Sequence, residues 1–398
     1  MRGSYQGGRA NGYCYFTGEV DGITKGVSQP FEYKFDGSRT FSGWSRPSVP
    51  TDFKIGLLVG PSGSGKSLLL REFGKEANPR WTKGKSVASH FQNVDDATAR
   101  LTGVGLNSIP TWCSDYGVLS TGEQFRADLA RKIGDNAIID EFTSVVDRNV
   151  AKAASCALRR YVDKYDVRGM VLASCHEDII PWLQPDWYFT TVDGKLHDGR
   201  LLRRPPITLR IYPCNRSIWS LFKSHHYFSQ GLSSSCYSYL ATAEFDGGKE
   251  EVVGFVAALP LPSGTLQNAW RAHRTVVLPD YQGLGIGPRI SDSVGQIMLD
   301  SGRKYYSRTS HPRFGGYRGN PNFRTVSHHP EFQDAPDDNV WYEWVPSYGN
   351  LATRSLKRIR AKGKQDPNGM GDQRVCFSHE YVKRWKVEKR PRIRLPRG

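Results

Sequence analysis

The 398-residue chain has no cysteines spaced C-x-x-C and no apolar run near the ~18 residues a membrane-spanning helix needs. Its seven cysteines, at 14, 113, 156, 175, 214, 236 and 376, are odd in number and scattered, which argues against a disulfide framework and a structural zinc site. The first residues lack the pattern of a signal peptide, and no internal repeat recurs. Acidic residues are few: 39 Asp and Glu face 55 Lys and Arg, for a net charge of +16. These absences exclude a membrane carrier and a disulfide-stapled secreted domain. They predict a soluble, cytoplasmic protein, in the host cytoplasm if phage-encoded. The excess of cations predicts a polyanionic partner, nucleic acid ahead of a membrane surface.

What is present divides into four stretches. Residues 1–50 are rich in Gly, Ser, Tyr and Phe and hold β-like runs such as Phe31–Phe35, suited to an antiparallel edge sheet. Residues 51–200 alternate apolar β-like runs with helical stretches, the pattern of an α/β domain. A charged, doubly proline-broken linker ends at Pro205-Pro206. Residues 207–345 predict a second domain: a strand at Ile207–Tyr212, a short helix at Ser217–Lys223 and a hairpin around Asp246-Gly247-Gly248. A strand at Arg274–Leu278, a glycine loop and a helix from about Pro288 follow. Residues 351–398 read as a basic tail, with fifteen Lys and Arg against four Asp and Glu.

The first chemical constellation begins at Gly60-Pro61-Ser62-Gly63-Ser64-Gly65-Lys66-Ser67, between the apolar run Ile55–Val59 and a helical stretch. Such a strand–loop–helix lets backbone N–H groups converge on phosphate oxygens. Gly60, Ser62, Gly63 and Gly65 would line the loop, Lys66 would reach the β- and γ-phosphates of ATP, and Ser67 would hold Mg²⁺. The short apolar run Ala137–Ile139 ends in Asp140 and Glu141. Asp140 would support the Mg²⁺ and Glu141 would polarise the attacking water. Between the two lies Leu119-Ser120-Thr121-Gly122-Glu123-Gln124, followed by an amphipathic helix.

With that segment, residues 50–195 resemble the ABC ATPase family. Ser120 and Gly122 stand in its signature segment, with Thr121 where glycine is commoner. Asp147 resembles its D-loop and His176, after the apolar run Met170–Ala173, its switch histidine. The resemblance implies a head-to-tail homodimer in which Ser120 and Gly122 contact the γ-phosphate bound by the opposite subunit. Gln92, after the run Ser86–Phe91, is the candidate Q-loop residue and a third Mg²⁺ contact. The stretch from Ser67 to Ser120 is too short for a long coiled-coil insertion, which disfavours chromosome-structuring relatives, and without a membrane segment the chain is not itself a transporter.

The second constellation is Arg274-Thr275-Val276-Val277-Leu278-Pro279-Asp280-Tyr281-Gln282-Gly283-Leu284-Gly285-Ile286-Gly287, a strand running into a glycine loop and a helix. Bare N–H groups at a helix start suit a pyrophosphate. The spacing is not G-x-G-x-x-G, and no acidic residue ends a second strand ~20 residues later. The run resembles motif A of the GNAT N-acetyltransferase family, over residues 207–315. That implies a mixed-sheet fold and an acetyl-CoA or related acyl-CoA donor held by Val277, Gln282, Gly283, Gly285, Ile286 and Gly287. GNAT enzymes share no single base, so His226, Asp280, Ser310 and Tyr317 stand as candidate catalytic groups, with His225 and His311 beside them. The segment Ser224-His225-His226-Tyr227 is also similar to phage Mom-type members of that superfamily, which modify adenine in DNA.

The tail interleaves cations with Phe377, Tyr381 and Trp385, a mix suited to phosphate contacts and base stacking, and Arg303, Lys304, Arg308, Arg313, Arg318 and Arg324 add charge near the acyltransferase mouth. Together these features predict an ATP-dependent acyltransferase that modifies a DNA base or tRNA. The second reading is a protein or small-molecule N-acetyltransferase with a regulatory ATPase domain.

Overall fold

The computed structural model describes residues 13–226, 231–309, 311–318, 325–326, 340–347, 354–358 and 373–385. The chain is α/β and divides between Pro205 and Pro206 into two units, each with its own mixed sheet.

In the first unit β1 (Tyr13–Thr17) and β2 (Ser38–Ser42) form an antiparallel pair around the short helix α1 (Gly22–Ser28). The expected strand at Phe31–Phe35 is absent: Gln29–Phe31 is a 3₁₀ turn, and Glu32 takes a left-handed backbone (φ 51) that no extended run accommodates. The core follows in the order β3 (Ile55–Val59), α2 (Lys66–Leu70), α3 (Val94–Gly103), α4 (Ile109–Trp112), α5 (Thr121–Lys132) and β4 (Ile138–Ile139). It is completed by α6 (Arg148–Tyr165), β5 (Met170–Ser174), α7 (Ile180–Leu183), β6 (Trp187–Thr190) and β7 (Lys195–Asp198). The sheet order is β4-β5-β3-β6-β7, parallel except for β7. Strands β3 and β5 are buried along their whole length, as expected of apolar runs covered on both faces. One face carries α3, α5 and α6 through Leu101, Leu129 and Leu158; on the other, Trp187 packs against Phe53 and Phe73.

The second unit begins with β8 (Ile207–Pro213), β9 (Tyr237–Phe245), β10 (Glu250–Pro260) and β11 (Ala269–Val277). Next come α8 (Ile286–Asp300), β12 (Lys304–Thr309), α9 (Pro312–Arg318), β13 (Thr325–Val326), β14 (Val340–Pro346), β15 (Arg354–Arg358) and β16 (Gln373–Trp385). Strands β8 to β11 form an antiparallel meander, β11 pairs in parallel with β12, and β16 lies between β12 and β14. The expected helix at Ser217–Lys223 is a pair of 3₁₀ turns, Arg216–Leu221 and Lys223–His225.

The segment expected as a basic tail supplies β15 and β16 to this sheet, and Tyr381, expected as an exposed stacking platform, is 1% exposed. On β16 the side chains of His379 and Tyr381 turn inward, so the alternation of a strand underlies the run of charges. The side chains of Phe377 and Trp385, and residues 386–398, lie outside what the structure describes.

Candidate functional site

Because β3 runs in the middle of the first sheet, the loop Gly60–Gly65 leaves at the carboxyl edge, the usual ligand side of a parallel sheet. Gly60 is at φ 147, and a Cβ there would come within 2.0 Å of Thr191 Oγ1, so this turn admits no side chain. The loop is braced from outside. Trp44 Nε1 donates to the Ser64 carbonyl at 2.8 Å, and Thr191 Oγ1 donates to Ser64 Oγ at 2.7 Å. At Gly63, by contrast, a Cβ would meet nothing within 4 Å. Lys66 is buried, and its Nζ donates to the carbonyls of Gly60 at 2.7 Å and Pro61 at 2.6 Å. Burial lowers its pKa, partly offset by Cys175 and Asp140 nearby. Ser67 and Ser62 are exposed.

Strand β5, which leads to His176, lies between β3 and the strand β4 that leads to Asp140 and Glu141. The phosphate-type loop, the two carboxylates and the histidine therefore leave three adjacent strands at one edge. Asp140 Oδ1 accepts the Glu141 N–H at 2.9 Å, and the Asp140 N–H donates to Glu76 Oε1 at 3.2 Å. Glu141 sits in the left-handed region (φ 50), an arrangement that costs about 1–3 kcal/mol and gathers at functional sites, and its side chain is exposed. A cavity of about 320 Å³ opens beside it, bounded by Thr121, Gln124 and Asp128 of α5. Burial and the Arg148 guanidinium lower the pKa of His176 against the opposing pull of Asp178, and so favour neutral imidazole.

Ser120 and Asp147 start α5 and α6. Ser120 forms a capping box with Glu123, and Asp147 accepts the Asn149 N–H at 2.7 Å. Both are exposed, and Gly122 is half-buried one residue into α5. Gln92 has a different setting from Asp140 and His176. The run before it is a 3₁₀ turn, Val87–His90, not a sheet strand, because its polar side chains bond locally: His90 Nδ1 to the Ser86 carbonyl at 2.9 Å and Ser86 Oγ to Ser89 Oγ at 2.7 Å. Gln92 is exposed at the start of α3, with its N–H on Asp96 Oδ2 at 3.2 Å.

In the second unit the parallel strands β11 and β12 pair only from Ala269↔Lys304 to Arg271↔Tyr306. Beyond that β11 stays with β10 as far as Val277, and β12 stays with β16 as far as Thr309. The two strands part, leaving a gap in the sheet. The glycine loop starts at the carboxyl end of β11, where Gln282 Nε2 donates to the Val277 carbonyl at 3.0 Å. Gly285, at φ 81, turns the chain into α8, a 15-residue helix with no acidic residue in its first turn. Gly287 lies over Val277: a Cβ on it would be 3.6 Å from Val277 Cγ2.

Of the candidate acyltransferase groups, Ser310 lies outside the described residues, as does Tyr227. Asp280 is exposed in a 3₁₀ turn, Pro279–Tyr281. His226 ends a 3₁₀ turn with its ring edge-on to Trp219 at 5.8 Å. Tyr317 donates its hydroxyl to Asp292 Oδ2 at 2.6 Å, and Trp344 Nε1 donates to Asp292 Oδ1 at 2.7 Å. Burial raises the pKa of both Asp292 and the Tyr317 phenol. Arg318, expected at the surface, is 3% exposed: it bonds Ser291 at 2.7 Å and Ser307, and lies over the Trp344 ring at 4.2 Å. Its charge is spent inside the fold. The side chains of Arg313 and Arg324 lie outside the described residues.

One residue near the gap carries no sequence signal. The register of β10 against β11 shifts between Ala257↔Arg274 and Ala258↔Ala272, leaving His273 as an extra, unpaired residue. Its Nε2 accepts the Ser233 N–H at 3.4 Å. Burial first, then Arg274, Arg271 and His226, lower its pKa to about 4.

No family model matches the chain, and no curated protein does. Among solved structures, the dimeric structure of a bacterial ABC transporter cassette is 13% identical over 42% of this chain and 95% of its own, with a TM-score of 0.33. The ribosomal-protein-S18-alanine N-acetyltransferase from Escherichia coli is 8% identical over 46% of this chain and 97% of its own, with a TM-score of 0.25. A GNAT family acetyltransferase from Brucella melitensis, in complex with acetyl-CoA, is 20% identical over 25% of this chain and 75% of its own, with a TM-score of 0.19.

Proposed function

We propose that the chain joins an ABC-type ATPase to a GNAT-type acyltransferase, and that ATP binding and hydrolysis by the first unit control acylation of a nucleic acid by the second. The observation that carries the ATPase half is the convergence of Lys66, the Asp140–Glu141 pair and His176 at the edge of three adjacent strands. ATP would bind at this loop, where a Cβ on Gly63 would meet nothing within 4 Å and Lys66 Nζ bonds the Gly60 and Pro61 carbonyls. Ser67 and Asp140 would hold Mg²⁺, which would neutralise charge on the transferring phosphoryl group. Glu141 would orient water, while Ser120, Gly122 and Asp147 would serve the partner's nucleotide in a homodimer.

The acyltransferase half is supported by the parted strands β11 and β12 with the Gln282–Gly287 loop at the start of α8. That loop offers amides to the pyrophosphate of an acyl-CoA, and the gap admits its thioester arm. The nucleic-acid target is supported by the net charge of +16, of which a protein or metabolite acceptor would have no need. Digestion of nucleic acids from expressing cells to nucleosides, followed by mass spectrometry, tests the whole reading. An acylated nucleoside should appear with the wild type and vanish with Gly285→Glu and with Lys66→Ala. Acylated lysines and unmodified nucleosides would instead favour a protein acceptor.

A further inference from the structure

We propose that His273 takes the proton from the attacking amine during acyl transfer, a role that rests on the acyltransferase reading above.

In a regular strand, successive side chains take opposite faces, so His273 and Arg274 could not reach the same segment. The extra residue in β11 changes this, because a bulge re-aims its side chains. Arg274 Nη2 donates to the Gly231 carbonyl at 2.9 Å, and the Ser233 N–H donates to His273 Nε2. That segment packs, through Leu232 and Cys236, on Phe255, Ala257 and Val276. Helix α8 and the glycine loop lie on the opposite face, where Ile290 approaches Gly254 and Gly287 covers Val277. His273 therefore stands on the face away from the loop. It is also two residues past Arg271↔Tyr306, where β11 and β12 part. A donor anchored by the loop would pass its thioester through that gap and meet an acceptor on the His273 side.

The ring chemistry agrees with this placement. As an acceptor at Nε2, the imidazole keeps its proton on Nδ1, leaving on Nε2 the lone pair a base needs. The 3.4 Å contact is long and easily displaced. Burial and the flanking Arg271, Arg274 and His226 disfavour the charged ring, so it enters each cycle neutral. In the reaction the amine nitrogen bonds to the thioester carbonyl carbon, and the adduct collapses with cleavage of the C–S bond. Sulfur leaves as the thiolate. The proton on nitrogen passes to His273 Nε2, and the imidazolium, disfavoured by burial, returns it to the thiolate through solvent. The products are an amide and a thiol, with no oxidant or further reactant.

The test uses the full chain with ATP, radiolabelled acetyl-CoA, and either sheared duplex DNA or total tRNA as acceptor probe. For His273→Gln and His273→Ala, acetyl-CoA binding by calorimetry should stay within about twofold of wild type while label transfer falls at least ~100-fold, the usual weight of a general base. Added imidazole should partly restore the His273→Ala variant. Transfer by His273→Gln within about threefold of wild type overturns the proposal. So does loss of acetyl-CoA binding in both variants, or failure of imidazole to restore any activity, since either assigns the residue a structural role. A wild type that binds no acetyl-CoA, or that labels neither probe, removes the acyltransferase reading itself, and this proposal with it.

Discussion

Ser120 and Glu123 hold each other across the first turn of α5: the serine hydroxyl donates to Glu123 Oε2 at 2.9 Å, and the Ser120 N–H donates to the same oxygen at 3.0 Å. Thr111 Oγ1 binds the other carboxylate oxygen at 2.8 Å. Burial raises the pKa of Glu123, but these bonds and Arg126 outweigh it and keep the net value below the ordinary one. In the proposed homodimer, a Ser120 hydroxyl that met the partner's γ-phosphate would exchange this carboxylate for a phosphate oxygen.

Ser120→Arg should therefore separate binding from turnover. ATP affinity, read by displacement of a fluorescent analogue, should change by less than about threefold, while hydrolysis falls more than ~100-fold, the pattern of an interaction made only in the assembled site. Parallel loss of both would place Ser120 in its own subunit's nucleotide site.

Glu141→Gln should keep ATP bound and stop its hydrolysis, because the left-handed turn at Glu141 is backbone geometry that Gln can share. Light scattering should then show a doubled mass with ATP for Glu141→Gln and no change for Lys66→Ala. A monomer in both would contradict the head-to-tail dimer.

Legible in the sequence were the loops and strand ends that depend on local chain chemistry. The Gly60–Ser67 loop, the carboxylates closing the Ala137–Ile139 run and the glycine turn at 282–287 each carry their requirement within a dozen residues. What was hidden depends on register between distant segments. Strand β16 pairs Tyr381 with Tyr305 and His379 with Ser307, more than seventy residues apart, and its cations masked the period-2 alternation of the inward side chains. His273 owes its place to a one-residue slip between β10 and β11, which Arg271-Ala272-His273-Arg274 does not announce. The braces Trp44 and Thr191 belong to no motif, and only the fold brings them to Ser64.

The burial of Tyr381 makes a packing prediction. A Cβ on Gly295 of α8 would lie 2.6 Å from Tyr381 Cδ1, so helix and strand meet there with no room for a methyl group. Gly295→Ala gains about 1 kcal/mol of helix propensity, yet overpacking against a buried ring costs about 1–3 kcal/mol, and the net effect should be destabilising. A lower melting temperature for this unit, partly recovered by Tyr381→Leu in the double variant, would show that residues 373–385 belong to the core. An unchanged or higher melting temperature would mean that β16 does not pack there.

His379 should make the stability of this unit depend on pH. It is fully buried beside Ser307, and neither ring nitrogen has a hydrogen-bond partner among the described residues. Burial, then the Arg318 guanidinium, lower its pKa from 6.5 to about 4. The native fold thus prefers the neutral ring, while the unfolded chain protonates near its ordinary value. The contribution is therefore fully present above about pH 6.5 and is lost as pH falls toward 4, up to roughly 3 kcal/mol in all. His273 loses stability in the same window, so the slope belongs to both. Denaturant midpoints for this unit should fall between pH 7 and pH 5 in the wild type. In His379→Leu, which cannot titrate and leaves no unpaired polar atom, the fall should be clearly shallower. Equal slopes would mean that His379 is not held neutral by the fold.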